Sequence, residues 1–499
     1  MNVQKFEYLL VVQTCHLPAY YLCAKYPTLE KKYITTSCIA LFNTISLIKK
    51  FQGNVMTQQE YQERRKKLLA KMADGSIAII FSAPILFRNN DCEYPYRQNS
   101  DFSYLTGFYE PEAVLILVKN SAINNQCECM LFNRARDPAA EIWSGRRLGQ
   151  DRARDELGIE KVYRFDEFDQ QLHLLLSQHA ILYHALGQYV YADQILLTTL
   201  ERLRRGSHAP STLIDWRPLL HEIRLFKSPE EIALIRCAGE ISAKAHLRAM
   251  KACRPGMFEY QLEGEIQHEF IQNGARFPAY NTIVGGGANG CILHYTENES
   301  ELRDGDLVLI DAGCEYQGYA ADITRTFPIN GKFSPEQRAL YNIVLASMNM
   351  ALVLYKPGIS IGEVNEQVTR IMITGLVELG ILQGDVESLL ENKAHRPFFM
   401  HGLSHWLGMD VHDVGDYGEN KNRKLESGMV LTVEPGLYIA ADASDVPEEY
   451  RGIGIRIEDN ILITEEGNEN LTAGVVKEVE DIEMLMASAV DLYPMNFEL

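Results

Sequence analysis

The chain has 499 residues, of which 46% are hydrophobic and 23% charged, a composition typical of globular proteins that bury a large core. Sixty-seven acidic and 48 basic residues give a formal net charge of −19. This balance argues against nucleic-acid binding, because such proteins need a basic face to neutralise phosphates. The ten cysteines form no regular framework, which predicts reduced thiols in a cytoplasmic enzyme.

The first 55 residues are apolar in patches that lysines interrupt. They contain neither an apolar run long enough to span a membrane nor a clear signal peptide with its cleavage site. We interpret 1–55 as an extension of uncertain order, with Met56 as the functional beginning of the protein. A membrane anchor is the alternative.

An α/β domain is predicted over residues 56–219. The segment TQQEYQERRKKLLAKM has helical spacing, with Thr57 as a cap and Glu60 three residues later. The runs SIAIIFSA, AVLILV and ECMLF are typical of buried strands, whereas AILYHAL is ambiguous. Helical segments such as DQILLTTLERLRR lie between them, and this alternation predicts an α/β fold.

A second domain is predicted over 220–499. Ser228, Pro229 and Glu231 combine a cap, a first-turn proline and a third-position glutamate, which predicts a helix to about Lys251. This domain repeats itself: RPGMFEYQLEGEIQHEF resembles KPGISIGEVNEQVTRIM, and LRDGDLVLIDAG aligns with LESGMVLTVEPG 123 residues later. Two half-domains built alike would bring equivalent strands together around an internal pseudo-two-fold axis.

Acidic residues lie in apolar, strand-like segments of this second domain. Asp311 and Asp322 flank the turn EYQGY, and a hairpin centred on Tyr316–Gln317 would place them directly opposite each other. Glu434 interrupts MVLTVEPGLYI, and Glu458 interrupts GIGIRIEDNILI. Burying such carboxylates without partners would cost on the order of several kcal/mol each, so we expect a cation between them.

Four histidines accompany these acids. His401, His405 and His412 lie in HGLSHWLGMDVHD, and His294 lies in CILHYTEN before the first acidic strand. Two Asp, two Glu and one His would balance two divalent ions, and a ligand set rich in oxygen favours Mn²⁺ over a structural zinc site. Two ions about 3.5–4 Å apart can share a hydroxide and polarise a carbonyl, so the pattern predicts hydrolysis.

The order of these five residues resembles that of the pita-bread metallopeptidases. The motifs HGLSHWLGMDVHD, VLTVEPGLYI and YRGIGIRIEDN, together with EYPYRQNSDFSYLTGFYEPEA in the first domain, closely resemble bacterial aminopeptidase P. The resemblance implies an α/β N-terminal domain followed by a pseudo-two-fold α+β pita-bread catalytic domain. It also implies Xaa-Pro aminopeptidase activity, in which a metal-bridging hydroxide releases the residue that precedes a proline in second position.

The resemblance implies a role for each metal ligand. Asp322 and Glu458 would bridge the two divalent ions, expected to be Mn²⁺. Asp311 would complete one ion, and His405 with Glu434 would complete the other. Glu434 would also help take the proton of the bridging hydroxide.

Further roles follow from the same resemblance. His294, His401 and His412 would line the substrate site, and Arg456 and Tyr417 would orient the ligands from outside. A homotetramer is implied in which neighbouring subunits help close the site. Asp91 and Trp143 match first-domain positions that could contribute there, although Trp143 could equally be a core residue.

Three other functions fit parts of the sequence. The segment GGGANG, Gly285–Gly290, matches G-x-G-x-x-G with Asp311 further on, but the segment after it lacks the apolar period of the helix that a dinucleotide fingerprint needs. The same scaffold could be an Xaa-Pro dipeptidase (prolidase) or a metal-free peptide-binding module. Peptide-length preference and metal analysis distinguish these two from an aminopeptidase. Neither a nucleic acid nor a membrane is an expected partner.

Overall fold

The computed structural model describes residues 56–120, 127–206 and 208–488, and these residues form one compact unit. The prediction for 1–55 lies outside the described residues. Among the helices of the described ranges, none is both long and apolar enough to cross a membrane.

The first part of the described chain is built on one mixed, six-stranded sheet. Its helices are α1 (Gln58–Lys71), α2 (Ser100–Thr106), α3 (Pro138–Ser144), α4 (Gly149–Leu157), α5 (Phe168–Ser177), α6 (Val190–Arg204) and α7 (Arg217–Leu225). Its strands are β1 (Ser76–Phe81), β2 (Phe87–Asn89), β3 (Cys92–Glu93), β4 (Val114–Lys119), β5 (Cys127–Asn133), β6 (Lys161–Arg164), β7 (Ile181–Tyr183) and β8 (Thr212–Ile214). The sheet order is β6-β5-β4-β1-β7-β8, and β2 pairs with β3 outside it.

The strands predicted for this part are present, and the ambiguous segment AILYHAL contains β7. Helix α1 begins where expected, because the Thr57 side chain accepts a hydrogen bond from the backbone N–H of Glu60. All six residues of β1 are buried, as suits a strand covered on both faces. The boundary predicted between residues 219 and 220 falls within α7 and stays a prediction.

The second part combines paired helices with small antiparallel sheets. Its helices are α8 (Pro229–Ala252), α9 (Glu259–Gln272), α10 (Pro335–Leu354), α11 (Ile361–Glu378), α12 (Val386–Glu391) and α13 (Val479–Ala487). Its strands are β9 (Phe277–Pro278), β10 (Ile283–Gly286), β11 (Leu307–Asp311), β12 (Cys314–Tyr316), β13 (Tyr319–Ala320), β14 (Thr324–Pro328), β15 (Val430–Val433), β16 (Gly436–Tyr438), β17 (Gly454–Arg456), β18 (Asp459–Ile463) and β19 (Asn468–Asn470). The sheets have the orders β10-β11-β14, β13-β12-β9, β15-β18-β19 and β16-β17.

The internal repeat of the sequence corresponds to repeated structure. The pairs α8–α9 and α10–α11 open the two halves, and both α8 and α10 start with a capping box, at Ser228 and Ser334. The aligned strand motifs form β11 and β15, whose first residues, 307 and 430, are 123 positions apart. Each of these strands pairs with an antiparallel neighbour, β14 or β18. The predicted pseudo-two-fold α+β architecture is therefore confirmed.

The register of the acidic hairpin differs from the prediction. Tyr316 pairs with Tyr319, and the two residues between them, Gln317 and Gly318, have φ of 50° and 84°. Positive φ at both central positions is the mark of a two-residue hairpin turn whose twist matches that of its strands. The turn thus centres one residue further along the chain than expected.

Asp311 consequently lies opposite Thr324 and not opposite Asp322, so the predicted direct pairing was wrong. The error is two positions on one strand, and side chains alternate between faces with a period of two. Asp322, two residues before Thr324, therefore still lies on the same face of the hairpin as Asp311, as predicted, but nearer the turn.

Candidate metal centre

The predicted ligands lie where strands end or break. Asp311 is the last residue of β11, Asp322 lies between β13 and β14, Glu434 follows β15, and Glu458 lies between β17 and β18. His405 belongs to a loop that lies beside β15: Thr432 donates its backbone N–H to the carbonyl of His405, and its hydroxyl accepts from the N–H of His405. At these positions the side chains are not held to the alternation of a strand, so they can point toward one another.

The side chains converge at short distances. His405 Nε2 lies 3.3 Å from Asp322 Oδ2 and 3.7 Å from Glu434 Oε1. Ligand atoms of Asp322, His405 and Glu458 all lie within 4.8 Å of one another. Asp311 joins this group through the hydroxyl of Tyr280, which lies within hydrogen-bond distance of both Asp311 and Asp322. Four carboxylates and one imidazole from both halves of the repeat therefore meet in one place.

The electrostatics of this cluster favour a cation. Burial, with added repulsion from Asp322, raises the pKa of Asp311 to about 6 and that of Glu434 to about 7, and it raises the pKa of Glu458 well above its usual range. A divalent ion among these groups would favour the charged form of each. The donor set, rich in carboxylate oxygen with one imidazole, fits such an ion.

His405 and Asp322 support each other's charge. Burial opposes protonation of His405, but the Asp322 hydrogen bond and the charge of Glu434 raise its pKa to about 9. Burial would also raise the pKa of Asp322, yet the hydrogen bond and charge of His405 lower it. A metal ion and a proton would thus compete for the same imidazole nitrogen.

Tyr280 is a member of the cluster that the sequence did not indicate. Its hydroxyl lies 2.5 Å from Asp311 Oδ1 and 2.6 Å from Asp322 Oδ1. Burial and the two neighbouring carboxylates raise its pKa well above 10, so the phenol stays protonated and can donate to one of them. It precedes a strand-like segment, and nothing in its local pattern sets it apart from a core tyrosine.

Arg456 lies against Asp311, one of the predicted ligands. Its Nη2 donates to Asp311 Oδ2 at 2.6 Å, its Nε donates to Thr324 Oγ1, and its Nη1 donates to the hydroxyl of Tyr438 at 2.9 Å. The same Tyr438 hydroxyl lies 2.8 Å from His401 Nε2. Tyr438 therefore joins Arg456 to the predicted substrate histidine, a role that sequence reasoning missed.

Tyr417 contacts the loop that carries His405 and bonds the backbone there. Its hydroxyl accepts the backbone N–H of Trp406 at 2.9 Å, and its ring stacks on the indole at a centroid distance of 5.1 Å. It thus supports the loop that carries His405. Tyr438, by contrast, is the last residue of the buried strand β16, and nothing in its local sequence sets it apart.

The three histidines predicted to line the substrate site lie beside the cluster. His412 packs edge-on against His405 at a centroid distance of 4.4 Å. Burial, together with the positive charge of Arg456, lowers the pKa of His401 to about 3, so this ring is neutral. His294 follows the 3-10 helix Gly287–Cys291 and lies close enough to contribute to the lowered pKa of both His401 and His412.

Asp91 and Trp143 lie on the surface of this chain. Asp91 is exposed in the turn between β2 and β3, and the Trp143 side chain on α3 is 91% exposed. The alternative that Trp143 is a core residue was therefore wrong. A large apolar side chain that is this exposed often marks a contact with another molecule.

The glycine-rich segment serves packing. After β10 the chain enters the 3-10 helix Gly287–Cys291, so no α-helix begins at these glycines as a dinucleotide fingerprint requires. A Cβ on Gly454 would lie 2.2 Å from the carbonyl oxygen of Gly290, so the glycines allow β17 to approach this turn closely.

Comparison with known proteins identifies relatives along nearly the whole described chain. Residues 233–465 match metallopeptidase family M24, and residues 61–183 match the aminopeptidase P N-terminal domain. The chain is 65% identical over 438 residues to an Xaa-Pro aminopeptidase of Escherichia coli, covering 87% of this chain and 99% of the relative. It is 52% identical over 431 residues to an Xaa-Pro aminopeptidase of Haemophilus influenzae, covering 86% and 98%.

Solved structures agree with these relatives. Proline aminopeptidase P II from Yersinia pestis superposes with a TM-score of 0.85 at 69% identity and covers 87% of this chain and 100% of that one. A zinc-substituted aminopeptidase P of Escherichia coli in complex with product superposes with a TM-score of 0.86 at 64% identity, covering 87% and 99%.

Proposed function

The chain belongs to metallopeptidase family M24, in its aminopeptidase P branch, and we propose that it removes the N-terminal residue from peptides whose second residue is proline. The observation that carries this proposal is the convergence of four carboxylates and one imidazole from two half-domains. The Xaa-Pro aminopeptidase of Escherichia coli, which this chain matches over 99% of that protein's length, supports it.

We propose that two divalent ions, Mn²⁺ by preference, bind at the cluster. Asp311, Asp322, His405, Glu434 and Glu458 would hold them. When bound, such ions act as Lewis acids on a peptide carbonyl and lower the pKa of water. Four carboxylates would leave the loaded centre close to neutral, which a buried site favours.

The side chains around the cluster would handle protons and carbonyl groups. The Glu434 carboxylate faces both His405 and His401, with its Oε2 3.5 Å from His401 Nδ1. It is thereby placed to take a proton from the attacking water and to return one to the departing amine. Neutral His412, next to His405, can donate a hydrogen bond to a substrate carbonyl as negative charge develops there.

His401 supplies a surface suited to proline. Its neutral ring stands between Phe399 and Tyr438, at centroid distances of 4.9 and 5.4 Å and steep angles to both. A pyrrolidine ring packs well against such aromatic faces. The bond before proline is a tertiary amide without an N–H, so a site that recognises the ring does not depend on that missing donor.

We also propose a cytoplasmic homotetramer. The exposed pair Ile142 and Trp143, 81% and 91% exposed, would then contact a neighbouring subunit, and so would the exposed Asp91. The cysteine content supports the compartment. Sedimentation of the purified protein tests the assembly. Trp143→Ala should raise KM for peptides if the indole reaches a neighbour's site, and an unchanged KM would contradict this contact.

Three peptides test the proposed activity. Arg-Pro-Pro should be cleaved at its first bond, Arg-Ala-Pro should be cleaved far more slowly, and the dipeptide Gly-Pro should be a poor substrate. Faster cleavage of Gly-Pro than of Arg-Pro-Pro would make the protein a prolidase. Equal rates for Arg-Pro-Pro and Arg-Ala-Pro would remove the proposed proline preference.

A further inference from the structure

Asp322 lies at a gap in its own hairpin. Strand β13 ends at Ala320 and β14 begins at Thr324, so Asp322 belongs to neither strand. The residue is 5% exposed, which puts its backbone N–H and C=O out of reach of bulk solvent. Buried backbone groups need hydrogen-bond partners, and a ligand segment without them would be both costly and mobile.

Asn460 provides both partners from the other half of the repeat. Its Oδ1 accepts the backbone N–H of Asp322 at 2.9 Å, and its Nδ2 donates to the carbonyl oxygen of Asp322 at 2.5 Å. Asn460 is fully buried. The side-chain amide thus satisfies both backbone groups of Asp322, with one donor and one acceptor spaced as in a peptide group.

Asn460 is itself held by the segments that carry two other predicted ligands. It lies in β18 two residues after Glu458, and its backbone N–H donates to Thr472 Oγ1. Across the sheet it pairs with Thr432, the residue that bonds the backbone of His405 in both directions. One residue, through its side chain and its backbone, therefore connects the segments of Asp322, Glu458 and His405.

We propose that Asn460 is a positioning residue of the metal centre, which clamps the backbone of Asp322 and so sets its distance from Glu458 and His405. This inference rests on the proposed metal centre. Because these three residues supply the atoms that lie within 4.8 Å of one another, a shift of the Asp322 backbone would reach the ligand geometry directly. Substituting a residue that positions a metal ligand commonly lowers metal affinity by about 10- to 100-fold.

Two substitutions separate the two hydrogen bonds. Asn460→Leu has a similar volume and removes both. Asn460→Asp keeps an acceptor for the N–H of Asp322 but sets a carboxylate oxygen against its carbonyl. Asn468→Leu is the matched control, because Nδ2 of Asn468 in the adjacent β19 donates to the carbonyls of Leu352 and Tyr355 and touches no ligand segment.

The test is calorimetric titration of metal-free full-length protein with Mn²⁺. We expect Asn460→Leu to weaken Mn²⁺ binding about 10- to 100-fold, Asn460→Asp to weaken it less, and Asn468→Leu to leave it unchanged. If Asn460→Leu does not fold, the Asp variant decides, and an affinity equal to that of the parent overturns the proposal.

Two other results are also decisive. Equal Mn²⁺ affinity in folded Asn460→Leu and the parent would overturn the clamp while leaving the metal centre intact, and so would an equal loss in Asn468→Leu, which would mark a general effect of the sheet. A parent protein that binds no divalent metal would instead overturn the proposed function.

Discussion

His405 Nε2 lies 3.3 Å from Asp322 Oδ2, although the two residues come from opposite halves of the repeated domain. The histidine pKa is raised to about 9 against the effect of burial, and the aspartate pKa is lowered against it, because each residue stabilises the charge of the other. A metal ion that binds between the two residues would displace the proton that they share. The proposed metal centre depends on this displacement.

Removing one carboxylate should abolish turnover without unfolding the protein. Removing a residue that hydrogen-bonds to a metal ligand commonly lowers metal affinity or activity by about 10- to 100-fold. Removing a proposed ligand itself, in Glu434→Ala or Asp322→Ala, should lower kcat/KM for Arg-Pro-Pro by more. Glu426→Ala is the control, since that side chain is 60% exposed and its nearest cation is 3.8 Å away. Parental rates in either ligand variant would refute the mechanism.

Tyr438→Phe tests the connection between Arg456 and His401. The substitution keeps the ring and removes the oxygen that bonds Arg456 Nη1 and His401 Nε2. We expect kcat/KM to fall by about tenfold, while Tyr260→Phe, at an exposed side chain, should leave it unchanged. An unaltered rate in Tyr438→Phe would show that the hydroxyl has no part in orienting either group.

Asp459 should be important for stability. Its carboxylate bonds Arg325 Nη2 at 2.6 Å, both side chains are fully buried, and Lys477 bonds it as well. Burial would raise the pKa of Asp459, but these two cations lower it to about 2. Asp459→Asn leaves Arg325 buried beside a neutral amide, so urea unfolding should show a loss of about 3–5 kcal/mol.

The control for that substitution is Glu469→Gln in the neighbouring strand. Glu469 pairs with Arg236 at 2.7 Å, but both side chains are 41% exposed. An exposed pair contributes about 0–1 kcal/mol. Similar losses in the two variants would mean that burial of the Arg325–Asp459 pair has no special effect.

His246 should make the stability of the metal-free protein depend on pH. It is fully buried, its Nε2 donates to the carbonyl of Ala312, and burial lowers its pKa to about 4. The unfolded state, with a pKa of about 6.5, binds the proton more readily. Stability from this group is therefore complete above about pH 6.5 and is lost as the pH falls toward 4, by about 3 kcal/mol in total.

His246→Gln isolates this contribution, because the glutamine amide can still donate to Ala312. The variant should lose less stability than the parent between pH 6.5 and 4 when both are unfolded by urea in chelator. Parallel curves would show that His246 does not titrate in this range.

The sequence indicated the charged residues of the site but few of the residues that hydrogen-bond to them. The sequence indicated the four acidic ligands because a carboxylate in an apolar strand is costly to bury without a partner: Asp311, Asp322, Glu434 and Glu458. It indicated His405 because other histidines lie close to it in the sequence. Tyr280, Tyr438 and Asn460 are polar residues of ordinary appearance. Their roles depend on contacts between distant segments, such as the 138 positions that separate Asn460 from Asp322, and local patterns carry no trace of these.

The same distinction holds for the fold. Helix starts at Thr57 and Ser228 follow from local capping chemistry, and the repeat follows from two matched motifs. The register of the acidic hairpin depended on which two residues adopt positive φ. Gly318 was a visible signal for a two-residue turn, but Gln317, with φ of 50°, was not.

Metal stoichiometry measured together with activity tests the central claim most directly. The protein is stripped with chelator, dialysed, and titrated with Mn²⁺ while bound metal and hydrolysis of Arg-Pro-Pro are followed in the same samples. We predict no activity without metal and full recovery as two ions bind per chain. Full activity in the stripped protein, or metal binding without any recovery, would contradict the account.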